Sequence, residues 1–159
     1  NNGSGKTTLL RLILGTLHPT DGSISRADYR AVYIDQDYSL ISDQLLVVEQ
    51  AQRYNAANLS DHELKSRLTH FLFAIQDWDK PCAALSGGER MRLMLCCLTL
   101  GNTAPDMIIL DEPVNNHDIQ SIEILTNAIN DYKGTLILVS HDSWFVDELG
   151  IEESIELNF

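Results

Sequence analysis

The stretch from Met107 to Ser140 constrains the fold more than any other part of this sequence. It contains an apolar strand pattern from Met107 to Asp111, an amphipathic helix pattern from Asp118 to Tyr132 and a second apolar strand pattern from Thr135 to Ser140. Strand, helix and strand in this order predict a βαβ crossover, in which the two strands lie parallel in one sheet. We therefore predict an α/β fold with a mainly parallel sheet that is flanked by helices.

The composition fits one globular domain and argues against two kinds of binding surface. The chain has 159 residues, of which 44% are hydrophobic. With 23 acidic and 11 basic residues its formal charge is −12, which disfavours a general surface for nucleic acid or anionic lipid. The longest apolar runs have the length of strands, so we expect no direct membrane insertion. Three cysteines without metal-ligand spacing, Cys82, Cys96 and Cys97, favour reduced thiols in a cytoplasmic protein.

The other periodic segments predict where helices and strands lie. Apolar positions recur at helical spacing after Gly5, and Ala31–Ile34 is typical of a short strand that ends at a polar cluster. From residue 43 to residue 100 the pattern is helical throughout, with a capping box at Ser60. We therefore predict that residues 1–159 form one domain, with an all-helical subdomain at residues 43–100 inserted into its core.

The first residues form a glycine-rich loop that opens the first helix. Backbone N–H groups of such a loop can wrap an oxyanion at a helix N-terminus. Lys6 would then reach the β- and γ-phosphates of a nucleotide, and the Thr7 hydroxyl would ligate Mg²⁺, because this ion needs hard oxygen ligands. By themselves these residues also fit a glycine-rich turn that caps an ordinary helix. The predicted nucleotide-binding residues of the loop are Asn2, Gly3, Ser4, Gly5, Lys6, Thr7 and Thr8.

Two acids stand at the carboxyl end of the strand that begins at Met107. In a helix-flanked parallel sheet, ligands bind beyond this end of the strands. Asp111 can hold Mg²⁺ directly or through water, and Glu112 can accept a proton from the water that attacks the γ-phosphate. A solvated acidic turn is the alternative. The loop that contains Lys6 and Thr7 favours the catalytic interpretation.

A second anion-binding helix end is predicted at Ser86, Gly87 and Gly88. These residues precede a helical segment that is rich in Arg and Leu, so their N–H groups lie at a helix N-terminus. As an isolated string they would also fit a plain serine cap of a helix.

The ordered motifs resemble those of the ATP-binding cassette (ABC) family along nearly all of the chain. They are Asn2 to Thr8 for Walker A, Gln36 for the Q-loop, Leu85 to Glu89 for the signature, Ile108 to Glu112 for Walker B, Asp118 in the D-loop and His141 as the switch histidine. The resemblance implies a P-loop NTPase fold with an inserted helical signature subdomain. It also implies an ATPase that converts ATP and water to ADP and phosphate with Mg²⁺.

The resemblance further implies a head-to-tail pair of cassettes, in one chain or in two subunits. Ser86, Gly87 and Gly88 of one cassette would contact the γ-phosphate that is held by Lys6 of the other. Asp118 would lie at the nucleotide between them. Within its own cassette, Gln36 would touch Mg²⁺ or the attacking water, and His141 would contact the γ-phosphate. The resemblance thus implies Glu112, His141 and Gln36 as catalytic residues, and Thr7, Gln36 and Asp111 as metal ligands.

Within the family, the sequence looks most like the ABC-F group of twin-cassette ATPases that act on the ribosome. Glu89 stands where transporters usually carry Gln, and the pair Asn115-Asn116 is also more typical of ABC-F. Val114 and His117 depart from the usual Thr and Leu beside the D-loop, which bears on communication across the pair. The short interval between Gln36 and the signature leaves no room for the arm insertion of some first cassettes, so we expect this chain to be the second cassette of its protein.

Two other functions stay open on the sequence. The chain could be the nucleotide-binding domain of an ABC membrane transporter, which has the same chemistry but a membrane partner, or a nucleotide-sensing module without turnover. Intact Asp111, Glu112 and His141 disfavour the second of these. We expect contact with a ribosome, if any, to be made by regions outside this chain. We also expect that the chain begins inside the phosphate-binding loop, because the family's first loop glycine, its preceding strand and its adenine-stacking aromatic would lie before Asn1.

Overall fold

The computed structural model describes residues 5–113, 118–151, 153–155 and 157. Within them lie six α-helices and three β-strands, together with two short 3-10 turns at Ile75–Asp77 and Cys82–Ala84. The elements in chain order are α1 Lys6–Leu14, β1 Ala31–Ile34, α2 Val47–Tyr54, α3 Asp61–His70, α4 Gly87–Leu98, β2 Met107–Asp111, α5 Ile119–Asp131, β3 Thr135–Val139 and α6 Ser143–Glu148.

The three described strands form a parallel sheet in the order β1-β2-β3. Ala31 pairs with Met107 and Ile34 with Leu110, while Asp111 at the end of β2 pairs with Val139 at the end of β3. The βαβ crossover and the parallel sheet predicted from the sequence are confirmed. Because the strands are parallel and in this register, the polar residues that follow them lie at one edge of the sheet.

Side-chain caps explain why several helices begin where they do. The Ser60 side chain accepts a hydrogen bond from the N–H of Glu63, whose carboxylate accepts one from the N–H of Ser60, so the predicted capping box is confirmed. Asp118 caps α5 through the N–H of Ser121. At the other end of a helix, Gly15 takes the left-handed conformation (φ 75°) and terminates α1.

Residues 43–100 are less helical than the sequence pattern predicts. The described structure has α2, α3 and α4 in this segment, but residues 71–86 contain only the two 3-10 turns, and Leu46 forms an antiparallel bridge with Pro81. The interruption has a backbone cause, since Leu72 adopts a left-handed φ of 63° and Pro81 cannot donate an N–H to a helix. That this segment forms a separate subdomain stays a prediction.

One apolar core joins the helical segment to the sheet. Leu110 of β2 and Leu125 of α5 belong to the same cluster of buried side chains as Leu68 of α3 and Leu93 of α4. The packing of α4 against α5 makes this connection. The position of α4 is therefore tied to the sheet that carries the acids.

The three cysteines are free and buried in this core, as the sequence predicts. Burial raises the pKa of Cys82 to about 11 and that of Cys96 to about 12, and it raises the pKa of Cys97 as well. The thiolate is the reactive form of cysteine, and each unit of upward shift lowers its fraction about 10-fold at a given pH below the pKa.

We expect the native protein to react with iodoacetamide at pH 8 at least about 100-fold more slowly than the urea-unfolded protein, since Cys82, Cys96 and Cys97 remain protonated and covered. Mass spectrometry of labelling time courses measures this difference. Rapid stoichiometric labelling of any of the three thiols in the native state would contradict the buried positions described above.

Candidate functional site

The carboxyl edge of the sheet gathers the polar residues that the sequence singles out. Gln36 follows β1 and is exposed, the acids Asp111 and Glu112 end β2, and His141 follows β3. Lys6 begins α1, directly after Gly5, which has a left-handed φ of 73°. Hydrogen bonds and ion pairs among these residues show which of them the fold brings together.

Glu112 lies between two groups that engage both oxygens of its carboxylate. The Lys6 Nζ donates to Glu112 Oε1 at 3.2 Å, and the His141 Nδ1 lies 2.6 Å from Glu112 Oε2. Glu112 is 7% exposed, whereas the His141 side chain is 71% exposed. A Nδ1–H donated to the carboxylate leaves the His141 Nε2 for other partners. Residues from the two ends of the sequence therefore meet at one buried carboxylate.

The backbone of Glu112 is unusual for a residue with a side chain. Its φ is 52°, in the left-handed region, which costs a non-glycine residue about 1–2 kcal/mol. The Glu112 N–H donates to the carbonyl of Val139 at 2.8 Å, so the hydrogen bonding between β2 and β3 continues into this turn. A costly conformation that is held by the neighbouring strand is typical of functional turns.

Asp111 is fixed by a residue that sequence reasoning missed. The Tyr33 hydroxyl, on β1, donates to Asp111 Oδ2 at 2.8 Å. Burial, followed by the hydrogen bond to Asp111 and the charge of Asp111, raises the pKa of Tyr33 to about 12, so the phenol stays a donor at neutral pH. The bond leaves the other oxygen of Asp111 available to a ligand. The sequence predicts that Tyr33 lies in β1 but does not show which acid it meets.

The donor types at this edge fit Mg²⁺. Among the described residues no group of three or more His, Cys, Asp and Glu side chains is placed to hold a metal ion. Mg²⁺ is commonly held by one or two carboxylates with substrate phosphates and water, and the free oxygen of Asp111 is a ligand of this kind. Thr7 lies in the first turn of α1 and is exposed.

The N-terminus of α4 is held by a network around Glu89. Ser86 is the N-cap, and its hydroxyl accepts from the N–H of Glu89 at 3.3 Å while Glu89 Oε2 accepts from the N–H of Ser86 at 2.7 Å. Lys80 Nζ donates to Glu89 Oε1 at 2.7 Å. Burial raises the pKa of Glu89, but the bonds from Lys80 and Ser86 outweigh it, so that the pKa is lowered and the carboxylate stays charged. Ser86 and Gly87 are exposed at this helix end.

Gly88 packs against the start of α5. A Cβ at this position would lie 2.6 Å from Asp118 Oδ2 and 2.6 Å from Ser121 Oγ. Arg92 Nη1 donates to Ser121 Oγ at 2.6 Å and lies 3.6 Å from Asp118 Oδ2. The hydrogen bonds from Ser121, foremost, lower the pKa of Asp118, and the charge of Arg92 contributes. Asp118 is thus both the cap of α5 and a contact of α4, and Arg92, which sequence reasoning missed, joins the two.

Some predicted residues lie outside the described part of the chain. These are Asn2, Gly3 and Ser4 of the loop, and the segment Val114 to His117, which contains the departures from the family pattern. Thr8 lies in α1 and is exposed.

Comparison with known proteins shows the class to which this fold and site belong. The profile of the family described as ABC transporter matches residues 1–115. YdiF of Bacillus subtilis strain 168 is 41% identical over 150 residues, which are 93% of this chain and 23% of YdiF. ABC transporter F family member 5 of Arabidopsis thaliana is 35% identical over 150 residues, which are 93% of this chain and 21% of that protein. The chain therefore belongs to the ABC transporter family and is one of its ATP-binding cassettes.

A solved structure agrees with this assignment. A crystal structure of the archaeal ribosomal stalk protein aP1 with the archaeal ribosome recycling factor aABCE1 contains a chain that is 29% identical, with a TM-score of 0.70. The match covers 93% of this chain and 29% of that one. The predicted P-loop fold class and the predicted family, an ABC-type ATPase cassette most similar to the ABC-F group, are confirmed. The chain spans about a quarter of the length of the curated relatives described above.

The described residues contain no helix that is both long and apolar enough to cross a membrane.

The contact of Gly88 with α5 leads to a prediction about stability. We expect Gly88→Ala to lower the free energy of unfolding by about 1–2 kcal/mol, because overpacking of a filled site costs about 1–3 kcal/mol and the better helix propensity of Ala returns at most about 1 kcal/mol. Urea denaturation of the two proteins measures the change.

Gly101→Ala is the matched control, since a Cβ there would come no closer than 3.6 Å, to the carbonyl oxygen of Thr103. An unchanged or increased stability of Gly88→Ala would show that Asp118 and Ser121 move away without cost.

Proposed function

We propose that this cassette binds and hydrolyses Mg-ATP as one half of a head-to-tail pair, within an ABC-F type ATPase that acts on the ribosome. The observation that carries the proposal is the carboxylate of Glu112, which is buried between Lys6 and His141 at the carboxyl edge of the sheet. Asp111 stands next to it with one oxygen held by Tyr33. A base, two groups for a phosphate and a metal ligand are thus close together.

The phosphates would be bound at the start of α1. In this proposal the loop from Asn2 to Thr8 wraps the β- and γ-phosphates with backbone N–H groups, and Lys6 turns from Glu112 to the phosphates. Thr7, Gln36 and Asp111 would hold Mg²⁺, which neutralises charge that develops on the phosphate oxygens. The exchange of partners by Lys6 would free one oxygen of Glu112.

The freed oxygen suits Glu112 to general-base catalysis. It would accept a proton from the water that attacks the γ-phosphate, while His141 holds its other oxygen through Nδ1. The Nε2 of His141, on a side chain that is largely exposed, would then contact the γ-phosphate. Gln36 would orient the water or the metal from the end of β1. These roles follow from the family resemblance, and the geometry around Glu112 supports them.

The second cassette would complete the site from the opposite side. Ser86 and Gly87 are exposed at the N-terminus of α4, so a partner's γ-phosphate could approach their hydroxyl and N–H groups. Gly88 and Asp118 would support this surface from behind, since they pack against each other within the chain. The partner cassette could lie in the same full-length chain or in another subunit.

An ABC-F ATPase and a transporter subunit share the chemistry of the cassette but have different targets, a ribosome in the first case and a membrane protein in the second. The relative named as an F family member and the neighbour titled as a ribosome recycling factor favour the first target, which regions outside this chain would contact. Cosedimentation of the full-length protein with ribosomes in the presence of ATP tests the choice. Recovery in a membrane fraction with a membrane-protein partner would favour a transporter subunit. A cytoplasmic location is part of the proposal and rests on the free buried cysteines.

The base role of Glu112 is tested by Glu112→Gln in the full-length protein. We expect steady-state phosphate release to fall roughly 10²-fold or more. ATP binding should be preserved or strengthened, because the neutral amide no longer competes with the phosphates for Lys6. The variant should also accumulate the closed, ATP-bound pair, which sedimentation or distances between the cassettes can detect.

Glu123→Gln is the control, since Glu123 is an exposed residue of α5. Unchanged turnover of Glu112→Gln would remove Glu112 from the role of base, and absence of turnover in the unmodified protein would leave the nucleotide-sensing alternative.

The role of the signature is tested by Ser86→Arg. The bulky side chain at the exposed start of α4 should block the approach of the partner's γ-phosphate, so we expect turnover to fall about 10-fold or more. ATP binding at Lys6 should persist, which calorimetric titration can check. Ser66→Arg on the exposed face of α3 is the control. If Ser86→Arg keeps normal turnover, Ser86 does not complete a neighbouring site.

A further inference from the structure

Two non-glycine residues near the site, Tyr38 and Glu112, have a left-handed backbone, and a hydrogen bond joins the first to the residue that follows the second. Tyr38 and Glu112 both have a φ of 52°. The Tyr38 hydroxyl donates to the carbonyl of Pro113, the residue after Glu112, at 3.1 Å. The loop that follows β1 and the turn that follows β2 are therefore linked directly, next to the carboxylate that the proposed function uses as base.

Tyr38 is built firmly into its own loop. It is 3% exposed, and burial, followed by the charge of Asp35, raises the pKa of its phenol, so it is a hydrogen-bond donor at any working pH. The Tyr38 N–H donates to the carbonyl of Asp35 at 3.1 Å, and the Tyr38 carbonyl accepts from the N–H of Ile41 at 2.8 Å. Asp35 also accepts from the N–H of Ser39 at 2.9 Å. Gln36 lies inside this closed turn.

The far end of the loop is fixed by a buried amide on α2. Gln50 is fully buried, its Oε1 accepts from the N–H of Ser42 at 3.1 Å, and its Nε2 donates to the carbonyl of Leu40 at 3.1 Å. Both ends of its side-chain amide thus satisfy backbone groups of the loop. The loop after β1 is therefore bonded to α2 through Gln50 and to Pro113 through Tyr38.

The bond to Pro113 acts where the chain leaves the strained turn. A residue in the left-handed region keeps that conformation only when its surroundings fix the peptides on both sides. The peptide before Glu112 is fixed by the bond from the Glu112 N–H to Val139. The Tyr38 hydroxyl holds the carbonyl of Pro113, which lies one peptide beyond the two that flank Glu112. Because the ring of Pro113 fixes its φ, a bond to its carbonyl also limits the position of the peptide between Glu112 and Pro113. The Tyr38 hydroxyl is therefore one of the contacts that limit the direction of the Glu112 carboxylate.

We propose that Tyr38 is a positioning residue, which holds the turn of Glu112 in its productive conformation and makes the positions of Gln36 and Glu112 depend on each other. The inference rests on the proposed function, because it assumes that Glu112 is the base. A movement of the loop that carries Gln36 is transmitted through Tyr38 to the turn that carries Glu112. Tyr38 itself touches neither nucleotide nor water in this proposal.

The test is Tyr38→Phe in the full-length protein, which removes the hydroxyl and keeps the ring. We expect kcat for ATP hydrolysis to fall about 5-fold or more, as for loss of a hydrogen bond that fixes a catalytic group, while KM and the affinity for Mg-ATP change less than about 2-fold. Tyr132→Phe is the matched control, since the Tyr132 hydroxyl donates to a proline carbonyl, that of Pro105, at 2.6 Å. This control should keep normal kcat.

A double variant separates positioning from a general loss of structure. In the Glu112→Gln background, Tyr38→Phe should cause no further fall in turnover, because the group that it positions is gone. A normal kcat for Tyr38→Phe, an equal loss in Tyr132→Phe, or a full additional loss in the Glu112→Gln background would each overturn the inference. The proposed function fails by a different result, namely normal turnover of Glu112→Gln with Tyr38 intact.

Discussion

The parallel pairing of β2 with a strand on each side is the constraint on which the rest of this structure depends. Because the register aligns the ends of β1, β2 and β3, side chains that are far apart in the sequence are delivered to one edge. Glu112 follows the central strand and is reached by His141 from the next strand and by Lys6 from α1. A shift of β2 by one residue would turn each of its side chains to the other face of the sheet and would separate Asp111 from Tyr33. The chemistry of the site is thus a consequence of the strand pairing.

The helical segment depends on the same sheet through close packing. Gly88 lets α4 approach Asp118 and Ser121, and Arg92 ties the two helices by bonding to that pair. Asp118, the residue that caps α5, also follows the turn of Glu112 in the chain. The signature end of α4 therefore has a fixed relation to the edge of the sheet within one cassette. Because this relation is fixed, a nucleotide bound at one cassette would influence a partner cassette that contacts Ser86.

Much of the fold could be predicted from sequence because its signals are local. The crossover from β2 to β3, the capping box at Ser60 and the helix after Gly5 depend on periodicity and on neighbouring residues, and they were predicted. The contacts of Tyr33, Tyr38 and Arg92 could not be predicted, since each joins residues that are distant in the chain and depends on the packing of two elements. The break in the helical pattern after α3 was missed because apolar spacing does not reveal a left-handed residue such as Leu72. For the site, the residue types were predicted, whereas the bond between Lys6 and Glu112 required the structure.

The charge of the chain limits how a nucleotide can be bound. With a formal charge of −12, the protein as a whole repels a polyanion such as ATP, so attraction must come from groups within a few ångströms of the phosphates. Lys6 is such a group, but Glu112 neutralises it at 3.2 Å. A phosphate that draws Lys6 away therefore leaves Glu112 with one charged partner fewer and a free oxygen. In the proposed function, binding of the phosphate and preparation of the base would then be one event, and Mg²⁺ at Asp111 would balance the carboxylates that face the bound nucleotide.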